Sequence, residues 1–133
     1  MSKEETGKIF VYGTLKEGGH FAKKFDDVRI KSVSATIKGT LFCTGGWFPG
    51  VLLEGNSIVH GELHEYKDFP TVIDLMNRIE GYDEQHPEQS LFIKQKIMVK
   101  TDKKKEEEAF IYTYNQSIEG CNIVKDGIWK LDG

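Results

Sequence analysis

A chain of 133 residues with 18 Lys and Arg against 21 Asp and Glu carries a formal net charge of −3, and it contains only two cysteines. That length fits a single domain, 1–133, whose core needs no metal or disulfide staple, and the mild acidity lacks the basic excess that nucleic acid would require of a partner. Cys43 and Cys121 form no Cys-x-x-Cys pair, so zinc ribbons and disulfide frameworks are set aside and two reduced, buried thiols are expected.

Taken in chain order, Lys8 to Tyr12 is rich in β-branched and aromatic residues and reads as a strand that Gly13 breaks. Without a Cβ at Gly13 the chain can bend sharply and bring the N–H groups near Thr14 and Leu15 to a ligand oxygen. An ordinary strand end is the plainer reading of that turn alone. Lys16 to His20 follows as a polar, glycine-rich loop, and Phe21 to Phe25 as a short helical turn. From Val28 to Leu41 the loose alternation of Ile30, Val33, Ala35, Ile37 and Leu41 predicts two short strands or one strand bent at Gly39.

Thr44 to Gly50 reads as a loop, because its Gly and Pro forbid regular structure, while Trp47 and Phe48 are too apolar to be left in water. Val51 to Leu53 and Ile58 to Tyr66 are expected as strands joined by a hairpin turn at Glu54-Gly55-Asn56-Ser57. Between Pro70 and Glu80 the period changes. Val72, Leu75, Met76 and Ile79 fall on one helical face, Thr71 and Asp74 resemble a capping box, and Gly81 stands where a C-cap glycine belongs. Asp83 to Gln89 is loop, Ile93 to Val99 alternates as a half-solvated strand, and the charge run Lys103 to Glu108 marks a hairpin tip, more plainly a solvated loop than a docking patch. Ala109 to Tyr114 returns as a strand, and the tail with Ile123, Ile128, Trp129 and Leu131 is expected to fold back and bury Trp129.

About seven short strands with one main helix predict an α+β domain whose mostly antiparallel sheet curls into a small barrel to remove its edges. Glu80 is the strongest chemical candidate, since it lies on the rim of the apolar helix face and in the last turn. Partial burial and the helix dipole both raise a carboxylate pKa there toward the range useful to a general acid/base. A rim glutamate that snorkels or pairs with Arg78 is the structural alternative. His60 and His64 sit ~13 Å apart along a strand, too far to share one metal ion, so no metal is expected. Neither a catalytic triad nor a phosphate-binding glycine motif can be assembled. No apolar run approaches the ~20 residues of a membrane span and no signal peptide is visible, so a cytoplasmic protein is expected.

Taken together, Val11-Tyr12-Gly13-Thr14-Leu15-Lys16, Gly39-Thr40-Leu41-Phe42 with Phe48-Pro49-Gly50, Val59-His60-Gly61-Glu62-Leu63, Ile79-Glu80-Gly81-Tyr82 and Ala109-Phe110-Ile111-Tyr112 give the chain a pattern that resembles the gamma-glutamylcyclotransferase-like family. The resemblance implies a small barrel-like α+β fold and cofactor-independent release of 5-oxoproline from a gamma-glutamyl amine or gamma-glutamyl amino acid. It also implies that Tyr12, Gly13, Thr14 and Leu15 hold the glutamyl moiety and that Glu80 is the acid/base. The chain departs from similar proteins where they carry a Tyr-x-Arg strand start, for it has Phe92-Ile93-Lys94, and where they carry an Asp shortly before the glutamate, for it has Asn77 and Arg78. The leaving amine would contact the loops around His20, Trp47 and His86. A non-catalytic module of the same fold that binds a small carboxylate is the rival reading, and an interaction domain using the charged hairpin is a third. Oligomeric state is not legible in the chain.

Overall fold

The computed structural model describes residues 7–19, 21–44 and 48–130. Eight strands and one α-helix form in the order β1 (Gly7–Val11), β2 (Arg29–Lys38), β3 (Thr40–Cys43), β4 (Pro49–Leu52), β5 (Ile58–Tyr66), α1 (Phe69–Glu80), β6 (Phe92–Thr101), β7 (Glu106–Tyr114) and β8 (Asn122–Ile123), with 3₁₀ turns at Ala22–Phe25 and Pro87–Gln89. Five strands close a barrel in the order β1-β5-β2-β6-β7, and β4-β3-β8 make a second sheet. The barrel is antiparallel except where β1 meets β7 in parallel at Ile9 and Phe110. This is the expected α+β architecture, with one more strand than the pattern suggested.

Strand alternation divides the apolar residues between two cores. Phe10, Tyr12, Ala35, Leu63, Val99 and Ile111 belong to a cluster that fills the barrel, against which Trp129 of the tail packs. Ile9, Val11, Tyr66, Phe92 and Tyr112, from the outer faces of the barrel strands, form a second cluster with Phe25 of the 3₁₀ turn and Val72 and Met76 of α1. The barrel wall is thus buried on both sides wherever α1 and the Phe21 to Phe25 turn cover it.

Several local expectations are corrected. The Glu54 to Ser57 turn is not a hairpin, since β4 pairs with β3 while β5 pairs with β1 and β2; the chain there crosses between sheets, which a local turn signal cannot reveal. The loop reading of Thr44 to Gly50 fails at its end, because Pro49 begins β4. Proline is tolerated at the first residue of an edge strand, and Gly50 lets Tyr114 pack so close that a Cβ would lie 2.7 Å from its Cβ. Helix α1 starts one residue early, capped by the backbone carbonyl of Asp68 in a left-handed conformation, and no side-chain cap forms. Asn77 is buried in place of Leu75, which is 37% exposed. The two cysteines are free and half-buried rather than buried, and Ile123 and Ile128 are exposed. Leu131 lies outside the described residues.

The tail is pinned where His60 N–H donates to the Gly127 carbonyl at 2.8 Å. Gly127 has φ +70, and a Cβ there would overlap the Ile58 carbonyl oxygen, whereas Gly120 has φ +79 with open space around it. Gly120→Ala is therefore expected to cost about 1 kcal/mol and Gly127→Ala about 3 kcal/mol, a difference that urea unfolding of the two variants reads directly.

Candidate active site

The two stretches singled out in the sequence, about 65 residues apart, meet at one rim of the barrel. Tyr12, Gly13, Thr14, Leu15 and Glu80 all line a single cleft, together with Phe10, Val11, Phe48, Pro49, Phe92 and Tyr112. The cleft has a volume of about 30 Å³, room for about two waters. A larger hollow of about 550 Å³, lined by residues such as Ile37, Ile58 and Met98, lies where β2 and β6 splay apart, and none of the five candidate residues borders it. Chemistry therefore favours the smaller cleft.

Helix α1 delivers Glu80 because the face carrying Val72 and Met76 packs on the outer barrel wall. The helix stops where it does because Gly81 takes a left-handed conformation at φ 67 and Tyr82 N–H reaches back to the Asn77 carbonyl at 2.8 Å, a Schellman-type end. Burial alone pushes the Glu80 carboxyl up to about 7. Among the described residues no hydrogen bond or ion pair lowers it again.

Two tyrosines frame the carboxyl. Tyr12 donates its hydroxyl to the Tyr112 carbonyl at 2.6 Å, and Tyr112 donates its own to Asn77 Oδ1 at 2.7 Å. Burial raises both phenols well above their ordinary range, and the Glu80 charge raises them further. Both hydroxyls are thus neutral and already committed, so they shape the cleft rather than ionise in it. Asn77, three residues before Glu80 and on the same side of the helix, is a site-forming residue that sequence reasoning passed over. Its burial was concealed by the apolar face drawn through Leu75; a polar residue three positions from a candidate acid was the available signal.

On the opposite side the backbone supplies donors. Lys16 N–H closes the turn on the Gly13 carbonyl at 3.0 Å, and Phe21 N–H bonds the Thr14 carbonyl at 3.0 Å. Among the described residues nothing accepts from the N–H groups of Thr14 or Leu15, although Leu15 is only 4% exposed. A buried backbone donor without a partner, as at Leu15, is rare, and with the half-buried Thr14 N–H beside it the pair is suited to an anionic or carbonyl oxygen. Gly13 lets Pro49 close the cleft, since a Cβ there would come within 2.7 Å of the Pro49 ring.

The departures at the start of β6 separate. Phe92 lines the cleft, packed against Phe48 at 5.8 Å and Tyr114 at 5.4 Å between ring centroids. Lys94 does not; its ammonium lies over the rings of Tyr82 and Phe110, at 5.8 and 5.1 Å. His86 is exposed and outside the cleft, while His20 and Trp47 fall outside the described residues. His60 and His64 make no joint site, His60 being exposed and His64 fully buried. No helix among the described residues is long and apolar enough to cross a membrane.

Comparison with known proteins adds to this geometry. The pattern of the family described as gamma-glutamyl cyclotransferase, AIG2-like, matches residues 9–131. A gamma-L-glutamyl-butirosin B gamma-glutamyl cyclotransferase from Niallia circulans is 38% identical over 76 residues, 57% of this chain and 45% of that protein. Among solved structures, YkqA from Bacillus subtilis superposes with a TM-score of 0.68 at 25% identity, covering 94% of this chain and 40% of that one. An AIG2-like protein from Mus musculus superposes at 0.61 with 20% identity, covering 86% and 82%. The chain thus spans less than half of the length of two of the relatives it matches.

Two outcomes follow from the buried groups. A carboxyl of 4.5 in the unfolded chain and about 7 in the folded one binds more protons when folded, so stability falls as pH rises through that window. Glu80→Gln is expected to equal wild type at pH 4 and to exceed it by up to about 3 kcal/mol above pH 7, as measured by chemical denaturation at the two pH values. Asn77→Ala strands the Tyr112 hydroxyl and should cost about 1–3 kcal/mol, whereas combining it with Tyr112→Phe should cost less than the sum of the two single changes. A double-mutant cycle in urea checks this.

Proposed function

The chain belongs to the gamma-glutamyl cyclotransferase, AIG2-like family, and from that membership we propose that it is a cofactor-independent cyclotransferase releasing 5-oxoproline from a gamma-glutamyl amine or gamma-glutamyl amino acid. The observation that carries the reading is the meeting, in one cleft, of a carboxyl pushed up to about 7 with two backbone N–H groups that have no partner among the described residues. A glutamyl group holds its own nucleophile, the α-amine, within ring-closing reach of the γ-carbonyl, so the protein need only fold the substrate and move protons from that amine to the leaving nitrogen.

In this mechanism Glu80 as carboxylate takes a proton from the α-ammonium. The freed amine attacks the γ-carbonyl carbon, and the Thr14 and Leu15 N–H groups hold a substrate oxygen, either the α-carboxylate or the developing oxyanion. The bond from the γ-carbon to the leaving nitrogen then breaks as Glu80 returns its proton to the departing amine. The attacking nitrogen, positively charged once bonded, sheds a second proton, and the released amine takes it up, so the products are a five-membered lactam with one N–H and an ammonium. A carboxyl near 7 suits both halves of the exchange, because neither protonation state is scarce at neutral pH. Phe48 and Pro49 form the wall of the cleft on the side of the second sheet. No cofactor or metal is needed for these steps, and a small soluble substrate fits a cytoplasmic setting.

The test is mass-spectrometric detection of 5-oxoproline from a panel of gamma-glutamyl amino acids and gamma-glutamyl amines, including gamma-glutamyl-lysine isopeptide. Wild type is expected to form product with kcat/KM rising through about pH 7 as Glu80 ionises, and Glu80→Gln to lose at least a thousand-fold while staying folded. No product from any panel member, with 5-oxoproline still bound, would replace the enzyme by the carboxylate-binding module.

A further inference from the structure

We propose that Glu62 is a positioning residue for the cleft: it holds the Thr14–Leu15 donors in place by anchoring the next residues of their loop to the barrel wall. The inference rests on the cyclotransferase reading for its kinetic form, and on the geometry for its substance.

The loop that carries the two donors is a coil closed mostly on itself, through Lys16 N–H to the Gly13 carbonyl and Gly19 N–H to the Lys16 carbonyl at 2.7 Å. Such bonds fix the coil's shape, not its place against the barrel. From the barrel wall, Glu62 supplies a charged acceptor. Glu17 N–H donates to Glu62 Oε1 at 2.9 Å, and Glu62 projects from β5 directly opposite Val11, one residue before the candidate glutamyl-binding segment begins.

Glu62 is in turn held from behind. Its Oε1 meets His64 Nε2 at 2.8 Å, and His64 Nδ1 meets the Tyr66 hydroxyl at 2.7 Å. Because a carboxylate can only accept, Nε2–H is the donor of that first pair. Glu62, His64 and Tyr66 alternate along β5, so the three side chains run along its outer face. His64 and Tyr66 have no exposed surface, and Phe25 packs edge-on against Tyr66 at 5.8 Å between centroids. Arg29 sits over the far end, 6.0 Å from the Tyr66 ring centroid. Burial pushes the Glu62 carboxyl up, but the bonds from His64 and Glu17 and the Lys16 charge outweigh it, so the carboxyl stays below its usual range and ionised. Lys16 adds a second tie beside the first, donating from Nζ to the Trp129 carbonyl at 2.6 Å. Glu17, Glu62 and His64 also bring their ligand-type atoms within 4.8 Å of one another. Both His64 nitrogens and the shared Glu62 oxygen are already hydrogen-bonded, however, so the cluster is read as a brace and not as a cation site.

None of these side chains borders the cleft; with the Thr14 and Leu15 donors assigned to the α-carboxylate, which is bound equally in ground and transition states, the expected effect is on binding of the glutamyl group and not on proton transfer. Glu62→Ala should raise KM, and the Kd for 5-oxoproline, at least ten-fold, with kcat within three-fold of wild type and the kcat/KM inflection near pH 7 unmoved. Glu62→Gln keeps an acceptor for Glu17 N–H and should stay within three-fold of wild type on all of these. A second variant covers a Glu62→Ala that fails to fold. Residues Lys16 to Gly19 form a β-turn with Gly18 at φ 85, which leaves Glu17 where proline is favoured. Glu17→Pro removes the N–H together with the Glu17 carboxylate, whereas Glu17→Ala removes the carboxylate only; both leave Glu62–His64–Tyr66 in place, and the proline variant should reproduce the ten-fold loss in binding while the alanine variant stays within three-fold of wild type.

The assay is 5-oxoproline titration by NMR alongside steady-state turnover, on the full chain. Loss of turnover in wild type with 5-oxoproline still bound would overturn the enzyme reading and leave the binding arm of this test in force. Unchanged binding in Glu17→Pro, an equal loss in Glu62→Gln and Glu62→Ala, or a shift of the pH inflection would each overturn the positioning role, as would failure of wild type to bind 5-oxoproline at all.

Discussion

A half-buried carboxyl group without a charged partner among the described residues, at the last residue of α1, is the constraint around which this structure is organised. Removing a carboxylate from water without a compensating partner is costly, and Glu80 has no such partner among the described residues; burial is the only cause of its raised pKa. The surrounding fold supplies what holds it there. Val72 and Met76 are almost fully buried against the barrel, the Tyr112 hydroxyl fastens Asn77 three residues before it, and the left-handed Gly81 ends the helix before Glu80 could turn back into solvent.

The barrel makes this arrangement possible because its wall is buried on both faces. An ordinary antiparallel sheet with one wet side would leave Ile9, Phe92 and Tyr112 exposed; here they pack with Val72 and Met76 of α1. The barrel rim beside Glu80 receives the Gly13 turn from β1 and Pro49 from the second sheet. Three elements that are remote in sequence therefore converge where each of them ends, and strand and helix ends are where backbone donors and a terminal side chain are free of ladder and helix bonds.

Phe92 and Lys94 illustrate how position decides the meaning of a substitution. Phe92 borders the cleft and packs there on the rings of Phe48 and Tyr114, so the absence of a hydroxyl alters the polarity of that wall. Lys94, two residues on and on the same face of β6, has its charge spread over Tyr82 and Phe110 outside the cleft. A lysine at that place braces the α1 end of the barrel through ring contacts, and its difference from a forked guanidinium does not reach the cleft directly.

The sequence by itself determined the elements whose signals are local. The strand ending at Gly13, the helix ending at Gly81, the strand from Ile58 to Tyr66 and the hairpin around Lys103 follow from side-chain period and turn chemistry, and they were legible for that reason. So was the pairing of Glu80 with the Tyr12 to Leu15 turn, but only through resemblance to a family pattern, since nothing in spacing brings residues so far apart together. Tertiary structure alone decided the rest. It exchanged Leu75 for Asn77 on the buried helix face, because the Tyr112 hydroxyl waiting on β7 offers a polar partner that periodicity cannot anticipate. It turned the Glu54 to Ser57 segment from a hairpin into a crossing between sheets, because partners are chosen by register across the whole barrel. It also assembled Glu62, His64 and Tyr66 into one buried hydrogen-bonded row; a period of two shows that they share a face, and only packing shows which face is covered and by what.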